Sequence, residues 1–387
     1  MEKYRFAILT FIVSISGFSQ GMLLTLSSIM LEKNGVSPSL NGLNASSLYL
    51  GLLLASPFME KPLRKFGYKP LIIVGLASVL LAVTIMPFWQ AFWVWFVLRF
   101  IVGVGDHMLH FSTQTWITST APRGKMGRTL SLYGLSFGAG FALGPLTLNL
   151  TPIHEALPFF LSGLLTILAG IFMIRIKNEF PEETTIPEVE NNSLQRFKRT
   201  IQIGGIALLP GFTYGFLESS LNGSFPIYAL RNGLNIQHVS FLLPTFVAGS
   251  LISQVPLGML SDRFGRKQIL SILLFGGTAS FFASIFVTSP ILLGLCFLVT
   301  GMLVGSLFSL GISYMVDLLP KYLLPAGNIL AGMAFGIGSM SGPLISGTSI
   351  DFLGKGSLFI VLSTMLFIVA LLITCTKSTK HHHSSTS

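Results

Sequence analysis

The sequence predicts an all-α integral membrane protein whose twelve transmembrane helices form two pseudo-symmetric six-helix bundles. Three observations lead to this prediction. Hydrophobic residues make up 51% of the 387 residues and charged residues only 10%, against roughly 25% charged in soluble domains. The apolar residues fall into twelve runs long enough to cross a bilayer. The second half of the chain also repeats the first at a constant offset.

Each apolar run ends where charges or clusters of Pro, Gly and Asn interrupt it. The first run follows a basic start, as in a signal peptide, but it is too long and a second run follows at once. We therefore expect it to remain as the first helix. The predicted spans cover residues 6–31, 41–60, 70–88, 92–119, 126–150, 156–175, 201–230, 238–258, 268–287, 290–318, 324–350 and 357–376.

The basic residues predict the orientation of these spans. The side that bears both termini carries 20 of the 24 lysines and arginines, while the opposite side carries only Lys33, Arg231 and Lys355, and Arg99 lies within a span. We therefore expect a multi-pass protein of the cell membrane with both termini in the cytoplasm. This topology and contact with anionic lipid headgroups account for the net charge of +10 without nucleic-acid binding.

An offset of 198 residues superposes the two halves of the chain without gaps. The run from Gly134 to Pro145 matches the run from Gly332 to Pro343 at its Gly and Pro positions. Shared apolar composition does not explain this register, because backbone geometry constrains Gly and Pro most. We expect bundles over residues 1–175 and 200–376, a cytoplasmic linker over 176–199, and a tail over 377–387 that resembles a tag remnant.

The loop between the eighth and ninth spans reads GMLSDRFGRK over residues 258–267. It resembles the G-x-L-S-D-R-x-G-R-K loop signature of the major facilitator superfamily. The resemblance implies that the acidic residue and its basic neighbours brace cytoplasmic helix ends and help to hold the outward-facing state. The first-half loop has Arg64 where Asp262 lies, so its brace must differ or be weaker. The predicted gating residues are Gly258, Asp262, Arg263, Gly265, Arg266 and Lys267.

The fourth span contains LRFIVGVG over residues 98–105, similar to the R-x-x-Q-G-x-G pattern of proton-driven exporters in the superfamily. On an α-helix Arg99, Gly103, Asp106 and His110 lie within about 60° on one face. A charge in hydrocarbon costs at least about 2.5–3.5 kcal/mol, so we expect this face to line the interior and its charges to be paired. An Arg99–Asp106 ion pair would satisfy this cost. The alternative is a proton relay, because imidazole and carboxyl groups both exchange protons.

Glu218 lies deep in the seventh span, and its repeat partner in the first span is Gln20. Their pseudo-symmetry indicates that both face the central cavity. Glu218 either carries a proton or stays protonated and hydrogen-bonded to Ser219 or to a neighbouring helix.

The fifth span ends in Gly140-x-x-x-Gly144-Pro145, which resembles the G-x-x-x-G-P signature of antiporters in the superfamily. The eleventh span repeats this pattern. Small residues spaced by four allow helices to approach closely, so the pattern indicates packing as well as export. The predicted packing residues are Gly140, Gly144, Pro145, Gly338, Gly342 and Pro343.

The resemblance implies a transporter that works by alternating access, similar to the drug:proton antiporters of the superfamily. We predict proton-coupled export of small amphipathic compounds, with Asp106, His110 and Glu218 as proton carriers and Arg99 as a modulator of their proton affinity. The alternatives are import or uniport of a sugar, an amino acid, a metabolite or a lipid-like molecule, and a non-transporting membrane sensor. The predicted substrate-binding residues are Gln20, Asn44, Tyr49, Trp116, Tyr133, Tyr214, Asn222 and Gln254.

The glycine-rich turns do not predict a nucleotide site, because no alternation of strand and helix surrounds them and no Walker lysine follows. No catalytic constellation or metal-ligand spacing is recognisable either. We therefore expect neither an enzyme nor a cofactor. The expected partners are a small-molecule substrate, protons and membrane lipid, and nothing in the sequence requires more than a monomer.

Overall fold

The computed structural model describes residues 2–120, 126–181, 193–354 and 356–376. Within these ranges every regular element is a helix and no strand occurs, so the all-α prediction is confirmed. The first helices are α1 Glu2–Lys33, α2 Pro38–Ala55, α3 Glu60–Phe66, α4 Tyr68–Ile85, α5 Phe92–Thr120, α6 Met126–Leu143 and α7 Leu157–Ile174. They are followed by α8 Ser193–Gly204, α9 Leu209–Arg231, α10 Ile236–Phe264, α11 Arg266–Ser284, α12 Pro290–Val304, α13 Leu307–Leu318, α14 Leu324–Leu353 and α15 Ser357–Cys375.

Nine segments of the described chain are long and apolar enough to cross a membrane by length and composition alone. The three other predicted spans correspond to α2, α6 and α11. These are helices of 18, 18 and 19 residues that carry Ser, Asn, Gly or basic residues along their length.

Two of the predicted spans are not continuous α-helices. The fifth span changes from α6 to a 3-10 helix over Gly144–Leu150, where Pro145 cannot supply a backbone N–H. The tenth span is divided into α12 and α13 on either side of residues 305–306. At the start of the seventh span, a 3-10 turn over Gly205–Leu208 connects α8 to α9.

The two bundles repeat the same close helix pair. In the first bundle α6 packs on α1, and a methyl group on Gly140 would meet the backbone of Ser14. In the second bundle α14 packs on α9, and a methyl group on Gly338 would meet the backbone of Phe212. Gly140 and Gly338 are repeat partners, as are Ser14 and Phe212. The pseudo-symmetry read from the sequence therefore extends to helix packing.

Four helices carry large apolar side chains on their outer surface, among them Val74 on α4, Leu164 on α7, Ile272 on α11 and Phe367 on α15. By contrast, α1 and α9 are buried on most sides. Since exposed apolar side chains suit hydrocarbon, the four outer helices face lipid and α1 and α9 lie at the centre. The helix α8, which contains the end of the predicted linker, packs on the second bundle through Gly204 and Leu319.

One seam between the bundles is formed by α2 and α14, which stay in contact along the length of α2. The contacts include Gly42 with Pro343 and, near the end of α2, Leu53 with Gly336. Between them the Ser46 hydroxyl donates to the Met340 carbonyl at 2.6 Å.

The other seam, between α6 and α10, is open at one end. We call the side that bears the start of α1 the terminal face and the opposite side the distal face. Toward the distal face Ser240 donates to Asn149 at 3.2 Å, and Leu251 lies beside Gly138 at mid-depth. Toward the terminal face Leu135 on α6 and Val255 on α10 are both exposed. The bundles therefore meet at the distal face and diverge toward the terminal face.

Candidate functional site

Asp106 lies at the middle of α5 and is fully buried between helices of the first bundle. The Ser16 hydroxyl on α1 donates to its Oδ1 at 2.9 Å, and Gln20 lies one turn further along α1 within interaction range. The other carboxyl oxygen, Oδ2, has no hydrogen-bond partner. A carboxyl group at this depth is costly as an anion, and protonation of the carboxyl would remove the charge.

His110 is connected to the same serine. Its Nε2 lies 3.0 Å from the Ser16 hydroxyl, and its Nδ1 lies 2.7 Å from the Tyr133 hydroxyl on α6. Thr113 approaches the same Tyr133 hydroxyl at 3.5 Å. The structure therefore brings together two predicted proton carriers and one predicted substrate-binding residue in a single hydrogen-bonded cluster.

Arg99 has a different partner from Asp106. Its Nη1 donates to Asn44 Oδ1 on α2 at 3.1 Å, and its Nε and Nη2 have no hydrogen-bond partner. The expected Arg99–Asp106 ion pair is not formed, because seven residues, or about 10 Å of helix, separate the two along α5. Arg99 and Asp106 thus form two separate buried polar centres.

Glu218 lies at mid-depth on α9 in the second bundle and is half-buried. The Tyr214 side chain lies close to Glu218 and to Ser250 on α10, near enough to interact with both. Tyr49 on α2 lies within electrostatic range of both Glu218 and Arg99. The predicted residues Tyr49, Tyr214 and Glu218 therefore meet at the seam between the bundles.

Three other predicted substrate-binding residues have partners other than the side chains of this group. Trp116 stacks on Tyr68 at 5.1 Å and packs inside the first bundle. Asn222 donates to the backbone carbonyl of Glu218 on its own helix at 2.8 Å. Gln254 is exposed and reaches only Ser309 at 3.5 Å, because its position on α10 lies toward the open end of the seam.

The predicted gating loop joins three helices at the terminal face. Arg266 contacts Asp262 and Asp317, each at 2.8 Å, so it connects the end of α10 to the end of α13. Lys267 donates to the carbonyls of Thr374 and Thr376 at the end of α15. Gly265 has a φ of +92°, which permits the tight turn. Arg263 lies over the neighbouring Phe264 ring, and Gly258 faces open space.

The first bundle has a brace of different composition. Lys69 donates to the carbonyls of Ile174 and Ile176 at 2.8 Å, as its repeat partner Lys267 does at the end of α15. The acidic group comes from Glu179, which lies in the predicted linker. Glu179 pairs with Arg5 at 2.5 Å and accepts from the Trp116 indole at 2.7 Å. Arg64, at the position of Asp262, pairs instead with Glu60.

Two residues of these clusters are absent from the sequence-based prediction. Ser16 connects Asp106 to His110, and it lies one helical turn before Gln20 on the same face of α1. That spacing is a signal that could have identified it. Glu179 had no comparable signal, because the sequence does not show where the linker returns to the bundle.

Two helical bundles with polar groups at a seam that is open at one end form the arrangement of a multi-pass membrane transporter. The comparisons agree. Residues 9–204 and 207–387 match the family model of the Major Facilitator Superfamily. The chain belongs to this superfamily, and it is a transport protein of the membrane rather than an enzyme.

Relatives match along most of their length. The chain is 49% identical to the uncharacterized MFS-type transporter YfkF of Bacillus subtilis over 366 residues, covering 95% of this chain and 94% of that protein. It is 22% identical to the uncharacterized MFS-type transporter YcaD of Escherichia coli, covering 90% of each.

Among solved structures, the nucleoside transporter NupG matches with a TM-score of 0.76 at 13% identity, covering 96% of this chain and 98% of NupG. A bacterial homologue of the lysosomal transporter Spinster, in an inward-facing and unoccupied conformation, matches with a TM-score of 0.73 at 12% identity. The match covers 96% of this chain and 94% of that protein. At these identities the likeness establishes the fold, and the two-bundle prediction is confirmed.

Proposed function

We propose that this protein is a proton-coupled exporter of small amphipathic compounds that works by alternating access. The observation that carries the proposal is the presence of one carboxyl group at mid-depth in each bundle, Asp106 and Glu218. Asp106 is fully buried and Glu218 faces the seam. Two bundles that rock about such a seam would expose Glu218 to each side of the membrane in turn.

We propose that Asp106 and Glu218 exchange protons and do not serve only as members of structural ion pairs. An ionised carboxyl inside the bilayer costs about 2.5–3.5 kcal/mol or more, and protonation removes that cost. Arg99 does not offset the charge of Asp106, since its Nη1 donates to Asn44 instead. Protonation and deprotonation of Asp106 would therefore change the free energy of the first bundle. Coupling of transport to protons requires such a change.

The side chains around Glu218 favour an amphipathic substrate. The Tyr214 ring lies 6.2 Å from the Phe335 ring, which lies 5.4 Å from the Phe308 ring. These rings offer apolar surface close to the Glu218 carboxyl and the Tyr214 hydroxyl. A binding site with apolar walls and few polar groups suits a compound with both characters.

The orientation follows from the basic residues. Lys61, Arg64, Lys65 and Lys69 lie at the terminal face near the start of α4, which we assign to the cytoplasm of the cell membrane. The seam then opens to the cytoplasm, so the conformation is inward-facing and accepts substrates from inside the cell. The resemblance of the Gly144-Pro145 region to the antiporter signature supports export.

We further propose residues 1–175 and 200–376 as the two moving units and residues 176–199 as their connection. In support of this division, Glu179 packs on the first bundle and α8 packs on the second. The protein would act as a monomer in contact with anionic lipid at its basic terminal face.

The test is flux in proteoliposomes under an imposed pH gradient, with ethidium as a cationic probe and N-phenylnaphthylamine as a neutral probe. We expect Asp106→Asn and Glu218→Gln to abolish the response to the gradient while exchange at equal pH continues. Glu60→Gln removes an exposed carboxyl at the terminal face and is the matched control. Normal coupling in both acid variants, or no gradient-driven movement of either probe, would contradict the proposal.

A further inference from the structure

We propose that Tyr133, His110 and Ser16 form the path by which a proton passes between Asp106 and the opening at the terminal face. The inference rests on the proposed function, which makes Asp106 a proton carrier. It adds the route to that carrier and assigns Ser16 as a positioning residue.

Burial of Asp106 makes such a route necessary. Its side chain is 0% exposed, so water at the open seam does not reach the carboxyl directly. Tyr133, at the other end of the cluster, is partly exposed and lies on α6, one of the two helices of the open seam. The cluster therefore has one end inside the bundle and the other beside the opening.

Three hydrogen bonds connect these ends without a gap. Ser16 Oγ lies 2.9 Å from Asp106 Oδ1 and 3.0 Å from His110 Nε2. His110 Nδ1 lies 2.7 Å from the Tyr133 hydroxyl. Each distance is within the range of an ordinary hydrogen bond. Ser16, His110 and Tyr133 can each donate and accept, so each can receive a proton on one side and release one on the other.

The proposed proton transfer conserves the number of protons along the path. Asp106 passes its proton to Ser16 Oγ, and the Ser16 proton passes to His110 Nε2. The proton on His110 Nδ1 passes to the Tyr133 hydroxyl, whose own proton passes to water at the opening. One proton leaves the carboxyl and one enters the water, while His110 changes tautomer and no electrons are exchanged. All three hydrogen bonds then point toward the Asp106 carboxylate, as the Ser16–Asp106 bond does in the structure.

Other ionisable or polar groups surround the path without interrupting it. Gln20 on α1 and Tyr49 on α2 face the Asp106 region, and Arg99 and His107 lie on its own helix. On α9, Glu218 interacts with Tyr49 across the seam. None of these groups is inserted between Asp106 and Tyr133.

The path depends on helices that move little relative to one another. Its residues lie on α1, α5 and α6 of one bundle, and α6 is held on α1 where Gly17 meets Phe137. Rocking of the bundles would therefore leave the three hydrogen bonds intact. It would change only the access of Tyr133 to water, so protons would exchange with the terminal face in the open state.

The experiment measures proton exchange at Asp106 directly and needs no substrate. The full chain in lipid nanodiscs is followed by infrared spectroscopy after a pH jump between about 5 and 9, a range that spans perturbed carboxyl groups. The carboxyl C=O band that disappears in Asp106→Asn reports this residue. We expect Tyr133→Phe and Ser16→Ala to slow the change of this band at least about tenfold, since each removes one transfer step.

Two controls separate the path from general damage. Tyr68→Phe removes a tyrosine hydroxyl elsewhere in the same bundle, where it lies 3.5 Å from Ser119, and should leave the rate unchanged. Ser16→Thr keeps the hydroxyl and should restore the rate that Ser16→Ala loses. If Tyr133→Phe does not fold, the comparison of Ser16→Ala with Ser16→Thr decides whether the proton uses this path.

The outcomes are distinct. Equal rates in wild type, Tyr133→Phe and Ser16→Ala, with a band that still titrates, would overturn the path and leave the proposed function standing. An Asp106 band that does not change across the pH range would instead overturn Asp106 as a carrier, and with it the role given to this residue in the proposed function.

Discussion

The ion pair between Glu32 and Arg231 joins the two bundles at the distal face. Glu32 ends the long buried part of α1 and Arg231 is the last residue of α9, and their Oε1 and Nε atoms lie 2.6 Å apart. Glu32→Gln keeps the volume of the side chain and removes its charge. We expect this change to increase the population in which the distal face is open, because the pair can form only when the bundles meet there.

The magnitude follows from the exposure of the two side chains. Arg231 is 36% exposed and Glu32 is 14% exposed, so solvent screens the pair only in part. Exposed ion pairs contribute about 0.2–1 kcal/mol, and the partial burial of Glu32 favours the upper end. A loss of about 1 kcal/mol changes the ratio of the two conformations about fivefold.

Pulsed electron resonance between two spin labels measures this ratio. Ile153 in the first bundle and Phe286 in the second are 75% and 73% exposed at the distal face and are suitable labelling sites. The free cysteines Cys296 and Cys375 are first replaced by serine. We expect a longer-distance population to grow about fivefold in Glu32→Gln at low salt, and to grow less at high salt because ions screen the wild-type pair.

The matched control is Lys33→Gln, which breaks the 3.5 Å contact of Lys33 with Glu155 inside the first bundle. The distance distribution should stay as in wild type, and reversing both charges in Glu32→Arg with Arg231→Glu should restore it. An unchanged distribution in Glu32→Gln would show that this ion pair does not hold the distal face closed. An equal shift in Lys33→Gln would show that surface charge, and not the bridge between bundles, causes the effect.

Three further predictions concern stability in detergent. Gly103→Ala should cost about 1–3 kcal/mol, because the added methyl group meets the backbone of Leu48, whereas Gly134→Ala faces open space and should leave the apparent Tm unchanged. Trp116→Phe should destabilise the protein by about 0.5–1.5 kcal/mol and lower the apparent Tm, because it removes a partly buried hydrogen bond to Glu179, and an unchanged Tm would contradict the brace. Lys267→Met should speed hydrogen exchange in the last turn of α15, whose carbonyls lose their donor, without changing exchange in α1.

Most of the fold could be predicted from the sequence because the bilayer imposes a simple rule on it. Apolar runs of about 20 residues mark helices, and charges mark their ends. The repeat gave the second constraint, since Gly140 and Gly338 are needed at the same helix contact in each bundle. The 3-10 segment over Gly144–Leu150 was not predicted, because an apolar run gives no sign of how its backbone changes within the membrane.

The spatial arrangement of the site was predicted only for residues that share one helix. Helical periodicity placed Arg99, Asp106 and His110 on one face, but it did not show what lies opposite that face. The structure supplies those partners, Asn44 for Arg99 and Ser16 for Asp106. A single sequence does not reveal which helices are neighbours, so the contacts between helices of the bundle are known only from the structure.

The two seams of the molecule contribute unequally to any rotation of one bundle against the other. Since α2 and α14 remain in contact from Gly42 to Leu53, the axis of rotation lies near that pair. The lever arm is then longest at α6 and α10, and a rotation of a few degrees produces its largest displacement there. In the orientation proposed above, the edge that separates most would adjoin the inner leaflet, and hydrophobic solutes dissolved in lipid would reach Glu218 sideways, without first entering the aqueous phase.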